Sequence, residues 1–270
     1  MIRENLHTHT KFCDGSNTAE EMVLKAIELS FTDLGFSGHG YTEFDKSYCM
    51  KDTEGYKKEI LSLKEKYKGK IRIWLGIEKD SFSVEDTSAY DYTIGSVHYV
   101  LKNGKYIAVD HTAEIIKKAV EELYGGDYAL FIKDYYKEVS SVADKTDCDI
   151  IGHFDLITKF LDSLGLEETE GYLSEAYKAV EHLVLKGIPF EINTGAIARG
   201  YKKNPYPSFK ILQKIKELGG KIIFSSDCHD KEYLDCYFSE SLKLAKKAGF
   251  TKRTVISENG FVEIGLEEHL

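Results

Sequence analysis

The chain has 270 residues, with 36 Lys and Arg against 45 Asp and Glu, so its formal net charge is −9. An acidic chain is a poor partner for a nucleic-acid backbone, because such binding depends on Lys and Arg neutralising phosphates. No apolar run approaches the ~18 residues of a membrane span. The N-terminal residues lack the apolar stretch of a signal peptide, and the five cysteines show no Cys-x-x-Cys spacing. We therefore expect a cytoplasmic protein without membrane or nucleic-acid partners and without a disulfide framework.

Short apolar, β-prone runs alternate with amphipathic segments along the chain. The runs predict strands at residues 2–6, 33–37, 71–77, 92–97, 149–152, 189–193 and 221–225, with 253–256 as a further candidate. The amphipathic segments predict helices at 18–30, 56–67, 113–123, 173–186, 208–218 and 239–248, and 131–145 is an additional helical stretch. Thr18-Ala-Glu-Glu has the form of a capping box, and Gly187 and Gly219 stand where helix C-caps are expected.

About seven repeats of a strand followed by a helix are typical of parallel strands with helices outside them. The chain has only three prolines and no Ser- or Gly-rich linker. We therefore expect an α/β protein with one domain over residues 1–270. A closed or nearly closed β/α barrel fits this pattern better than an open sheet.

Histidines and acidic residues follow nearly every predicted strand. In chain order they are His7, His9, Asp14, His39, Glu78, His98, His153, Asp227 and His229. Because parallel barrel strands present their C-terminal ends at one face, we expect these nine side chains to converge. A single strand-end histidine is more often a hydrogen-bonded core or loop residue than a ligand. Here, however, six of nine histidines share the placement, and only His111, His182 and His269 do not.

Imidazole and carboxylate together are the ligand set of zinc, manganese or iron. Nine ligands are more than one ion uses, and the two oxygens of Glu78 could bridge two ions, so the sequence predicts two or three divalent transition metals. Metals about 3.5–4 Å apart clamp the attacking and leaving oxygens of a displacement at phosphorus. This favours hydrolysis of a small phosphorylated substrate by a metal-activated hydroxide, with amide or amidine hydrolysis open on the same logic. Cys228 is expected to point away from its two neighbouring ligands.

Several short motifs resemble the PHP (polymerase and histidinol phosphatase) family. They are His7-Thr8-His9-Thr10 with Asp14-Gly15, Gly38-His39, Gly76-Ile77-Glu78, Gly95-Ser96-Val97-His98, Gly152-His153-Phe154-Asp155 and Ser226-Asp227-Cys228-His229. The segment Glu191-Ile192-Asn193-Thr194, followed by Arg199, is most similar to the stand-alone histidinol-phosphate phosphatases of that family. The resemblance implies a distorted (β/α)7 TIM-like barrel with a trinuclear centre. It also implies hydrolysis of L-histidinol phosphate to L-histidinol and phosphate, in histidine biosynthesis.

The resemblance also implies a division of the ligands among three ions. His7, His9, Glu78 and Asp227 would hold the first, and Glu78 would bridge to a second held by His98 and His153. Asp14, His39 and His229 would bind the third. Glu78, Asp227 and His229 are the candidate catalytic residues of this centre.

Three residues are candidates for binding the substrate. Arg199 would dock the phosphate, and Lys159 stands where relatives often carry Arg, although Lys lacks the bidentate fork of Arg. Histidinol phosphate also has cationic nitrogens, for which an acidic residue in the loop after His39, such as Glu43 or Asp45, could supply a carboxylate.

Two other functions are compatible with this ligand set. One is a phosphoesterase of the same family that acts on nucleotides or nucleic-acid ends, against which the acidic composition counts. The other is a metal-binding module without turnover, against which the complete ligand set counts.

Overall fold

The computed structural model describes residues 2–269. Its strands are β1 (Glu4–Asn5), β2 (Asp33–Phe36), β3 (Arg72–Asp80), β4 (Tyr92–Ser96), β5 (Tyr99–Lys102), β6 (Lys105–Ala108), β7 (Ile150–Ile151), β8 (Phe190–Asn193), β9 (Ile222–Ser225), β10 (Lys252–Ser257) and β11 (Gly260–Gly265). Its α-helices are α1 (Ala19–Glu28), α2 (Thr53–Lys66), α3 (Ala113–Tyr124), α4 (Tyr128–Ser140), α5 (Val142–Thr146), α6 (Leu161–Leu164), α7 (Glu170–Val184), α8 (Gly195–Ala198), α9 (Phe209–Glu217) and α10 (Phe238–Lys247).

Seven of the strands form a parallel sheet in the order β1-β2-β3-β4-β7-β8-β9. Beyond the ends of β1 and β9, Thr8 and Cys228 form a parallel bridge that brings the two edges of the sheet together. The result is a nearly closed barrel with helices outside, so the predicted (β/α)7 fold is confirmed.

The helices pack apolar faces against the sheet, as their periodicity predicts. In α9, for example, Ile211, Leu212 and Ile215 are buried. The Thr18–Glu21 capping box is present at the start of α1, and Gly187 and Gly219 adopt positive φ just after α7 and α9. The predicted helix 131–145 is instead α4 followed by the short α5. Each helix within residues 2–269 is too short or too polar to cross a bilayer.

Two antiparallel hairpins depart from the predicted alternation. The first, β5–β6, follows β4 and was not predicted. The second, β10–β11, contains the candidate strand 253–256, which therefore pairs outside the parallel sheet. Ile256 of this hairpin packs with Trp74 and other barrel residues, and buried Arg253 pairs with Glu4 at the start of β1. The hairpin thus covers the N-terminal end of the barrel and leaves the C-terminal end open.

Candidate active site

The ends of β1 and β9 are held side by side by backbone hydrogen bonds. The His9 amide donates to the Cys228 carbonyl at 2.8 Å, and the Cys228 amide donates to the His7 carbonyl at 3.2 Å. This pairing places His7 and His9 beside Asp227: the His9 Nε2–Asp227 Oδ1 distance is 3.2 Å. The Cys228 thiol donates to the Asp230 carbonyl instead, so it lies outside the cluster as predicted.

Glu78, on β3, lies at the centre of the histidines. Its Oε1 is 2.8 Å from His153 Nε2 and 3.3 Å from His98 Nε2. Its Oε2 is 2.9 Å from His39 Nδ1 and 3.1 Å from His7 Nε2. The two oxygens therefore face two different sets of imidazoles, which is the arrangement that a bridging carboxylate needs.

A third set of side chains lies at the mouth of the barrel. Ligand atoms of His9, Asp14, His39 and His229 all lie within 4.8 Å of one another. The His229 ring stacks on the His9 ring with a centroid distance of 4.1 Å, and His229 Nε2 is 3.2 Å from Asp14 Oδ2. The structure thus brings together all nine strand-end residues that the sequence singles out.

Several polar atoms in this cluster are buried and, although some face one another at short distance, make no hydrogen bond of acceptable geometry among the described residues. They are His7 Nε2, His9 Nε2, His39 Nδ1, His153 Nδ1 and Glu78 Oε2. Buried polar groups are nearly always partnered, so such a concentration needs an explanation. Imidazole nitrogens and carboxylate oxygens converging in this way fit divalent transition metals, because each orphaned atom that faces the cluster could be satisfied as a ligand.

The charge states of Glu78 and His9 suit metal binding. Burial opposes ionisation of Glu78, but His7, His39 and His98 together hold the pKa of its carboxyl well below the usual range. Burial, assisted by His229 and His39, lowers the pKa of His9 to about 3. An ionised carboxylate and a neutral imidazole are the forms that coordinate metals.

The backbone around Asp227 is specialised. Asp227 adopts a φ of 46°, in the left-handed region that non-glycine residues seldom occupy. A Cβ on Gly195 would lie 2.8 Å from both Cβ and Oδ2 of Asp227, so only glycine fits there. Strained backbone of this kind is concentrated at functional sites.

Two further carboxylates lie behind the histidines. Glu191, on β8, is 2.6 Å from His7 Nδ1, and it accepts hydrogen bonds from the His153 amide at 2.8 Å and the Asn193 side chain at 2.8 Å. Asp80 accepts from the His98 amide at 2.9 Å and lies 3.2 Å from His98 Nδ1. A carboxylate on Nδ1 fixes the imidazole tautomer, which leaves Nε2 free as a ligand. Neither role was predicted from the sequence; for Glu191, the available signal was a charged residue within an apolar strand.

We expect Glu191→Gln to weaken metal binding about 10- to 100-fold, the usual effect of removing a partner behind a ligand. Competition between the protein and a zinc chelator measures this directly. Glu181→Gln, on the outer face of α7, is the control. Equal zinc affinity in both variants would contradict the positioning role of Glu191.

An open cavity of 480 Å³ lies above the cluster. Arg199 lines it, with Nη2 3.1 Å from Asp227 Oδ2 and Nη1 2.8 Å from His229 Nδ1. Lys159 also lines the cavity, and its Nζ donates to the Asp110 carbonyl at 2.7 Å. These two substrate-binding candidates therefore lie where a phosphate above the cluster could reach them.

Glu43 is not brought to this cavity. Its side chain is 79% exposed, and it pairs with Lys46 and Tyr41 in the loop after β2. The loop is held instead by Asp45, which accepts a hydrogen bond from Tyr99 at 2.8 Å. Neighbouring positions in an irregular loop can face opposite ways, and no periodicity in the sequence distinguishes them.

The family model for the PHP domain matches residues 5–195 of this chain. The "Probable histidinol-phosphatase" of Schizosaccharomyces pombe is 26% identical over 277 residues, covering 93% of this chain and 89% of that protein. The histidinol-phosphatase of Bacillus subtilis is 25% identical over 257 residues, covering 85% and 94%. The histidinol phosphate phosphatase of Lactococcus lactis, a crystal structure with zinc, L-histidinol and phosphate, superimposes with a TM-score of 0.71 at 21% identity, covering 96% and 98%.

Proposed function

The chain belongs to the PHP family, and on that premise we propose that it is a metal-dependent phosphatase that hydrolyses L-histidinol phosphate to L-histidinol and phosphate. The observation that carries the proposal is the convergence on Glu78 of buried imidazoles, several of which have a ring nitrogen without a hydrogen-bond partner among the described residues, directly below a cavity lined by Arg199. The names of the similar proteins support the choice of substrate.

The proposed ligands follow the geometry of the cluster. His7, His9 and Glu78 form one group, and His39, Glu78 and His98 form another that overlaps it. His9, Asp14, His39 and His229 form the group at the mouth. We propose two or three divalent ions, zinc, iron or manganese, in these groups, with Asp227 and His153 completing them.

Each part of the site has its own task in hydrolysis. When bound, divalent ions would supply positive charge for the phosphoryl oxygens and would make a water molecule acidic enough to act as a nucleophile near neutral pH. Glu78, Asp227 and the histidines hold that charge at the base of the cavity. Arg199 presents its guanidinium from the side, where it can donate to a phosphate oxygen. Glu191 and Asp80 keep the imidazoles oriented.

Phosphate release from L-histidinol phosphate by the zinc- or manganese-loaded protein tests the proposal. We expect kcat/KM for this ester to exceed that for p-nitrophenyl phosphate and for nucleoside monophosphates, and a chelator to abolish activity. A preference for the nucleotides would favour the alternative phosphoesterase, and no turnover of any ester would favour a binding module.

A further inference from the structure

The proposed function leaves open which residue recognises the part of the substrate beyond the phosphate. That part carries an ammonium group and an imidazole, so a carboxylate facing the cavity is the expected partner. Glu43 does not reach the cavity. If the proposed function holds, another carboxylate must take this role.

Three carboxylates line the cavity: Asp14, Asp110 and Asp227. Asp14 and Asp227 are surrounded by the histidines of the cluster, with distances of 3.2 Å to His229 and to His9 respectively. Their charge is therefore balanced by the histidines of the cluster. Asp110, which follows β6 of the unpredicted hairpin, is the remaining carboxylate.

Asp110 is charged and has unused acceptor capacity. Burial opposes its ionisation, but Lys159, then His98 and His111, lower the pKa of its carboxyl. Among residues 2–269 no group donates a hydrogen bond to its side-chain oxygens, and its side chain is 24% exposed. An ionised carboxylate on the wall of this cavity, to which no group among the described residues donates a hydrogen bond, is well suited to a cationic ligand.

Lys159 does not donate a hydrogen bond to the Asp110 carboxylate. Its Nζ lies 3.7 Å from Asp110 Oδ2 and donates instead to the Asp110 backbone carbonyl. The side chain of Lys159 is held further by the Tyr201 ring, whose centroid is 4.7 Å from Nζ. Lys159 thus fixes the backbone of Asp110 and leaves the carboxylate facing the cavity.

We propose that Asp110 binds the cationic end of the substrate and so determines specificity for an amine-bearing phosphate ester. Arg199 and the metal cluster bind the phosphate, while the Asp110 carboxylate binds the group of opposite charge on the same substrate. The β5–β6 hairpin is the element that places this carboxylate, and Lys159 is a positioning residue for it.

The test compares two substrates in Asp110→Asn. For L-histidinol phosphate we expect kcat/KM to fall about 10- to 100-fold, the value of a hydrogen bond to a charged group, mainly through KM. For p-nitrophenyl phosphate, which has no cationic group, we expect a change of less than about twofold. L-Histidinol should also become a correspondingly weaker inhibitor of p-nitrophenyl phosphate hydrolysis.

The matched control is Asp134→Asn, because Asp134 also pairs with a lysine, accepting from Lys102 at 2.7 Å outside the cavity. It should leave both substrates unaffected. Asp110→Ala provides a second variant if the Asn variant does not fold, and it should show the same loss of discrimination. If Asp110 only balances the charge of Lys159, both esters will lose rate equally, which would overturn the inference.

Different results would refute the proposed function and the role of Asp110. A wild-type protein that does not prefer L-histidinol phosphate would refute the proposed function. A wild-type preference that persists in Asp110→Asn and Asp110→Ala would refute only the role of Asp110.

Discussion

Replacing Glu78 by Gln is expected to lower phosphatase kcat on the order of a thousandfold or more and to remove bound metal. Loss of one preorganised group that stabilises developing charge already costs ~10²–10³ in kcat. Glu78 faces imidazoles with both oxygens, at 2.8 Å for His153 and 2.9 Å for His39, so its neutralisation should affect two ions at once. Metal analysis of the purified variant beside steady-state kinetics measures both effects.

Two histidine variants serve as controls for Glu78→Gln. His182 is 50% exposed on α7, beside Asp144. His111 lines the cavity but belongs to none of the metal-binding groups found among the described residues. Metal content should be unchanged in His182→Ala and His111→Ala. Equal metal loss in all three variants would show that the cluster around Glu78 is not the metal centre.

Arg199→Ala is expected to lower kcat/KM on L-histidinol phosphate about a hundredfold, with metal content unchanged. A charge-assisted bidentate contact made in the transition state is worth a few kcal/mol, which corresponds to this factor. The Arg199 guanidinium already lies at the cavity wall, within 3.1 Å of Asp227. It can therefore reach a phosphate bound above the cluster by a change of side-chain rotamer.

Arg199→Lys should recover only part of the lost rate, because an ammonium is a point charge without the planar fork of a guanidinium. Steady-state kinetics of wild type, Arg199→Ala and Arg199→Lys give the comparison. Full activity in the alanine variant would mean that Arg199 only balances the charge of Asp227.

The barrel and its ligand cluster could be predicted because both depend on regular features. Periodicity locates the strands, and parallel topology brings every strand end to one face, so His9 and His229 meet despite their separation in sequence. The ends of β1 and β7 were predicted less accurately. Each strand has only two residues in the structure, whereas the apolar runs predicted strands over 2–6 and 149–152.

The substrate side of the site was harder to predict because it is built by irregular segments. Asp110 reaches the cavity through the β5–β6 hairpin, which interrupts the strand–helix alternation. Glu43 and Asp45 are two residues apart in one loop, yet the first faces solvent while the second is hydrogen-bonded to Tyr99. Such differences come from tertiary contacts that the local sequence does not encode.

The most direct test of a multinuclear phosphatase centre is the metal content of the active enzyme. We expect elemental analysis of protein with full activity on L-histidinol phosphate to give two or three transition-metal ions per chain. Stepwise removal by a chelator should abolish phosphate release, and restoring zinc or manganese should recover it. Full activity with one ion per chain, or with none, would contradict the account.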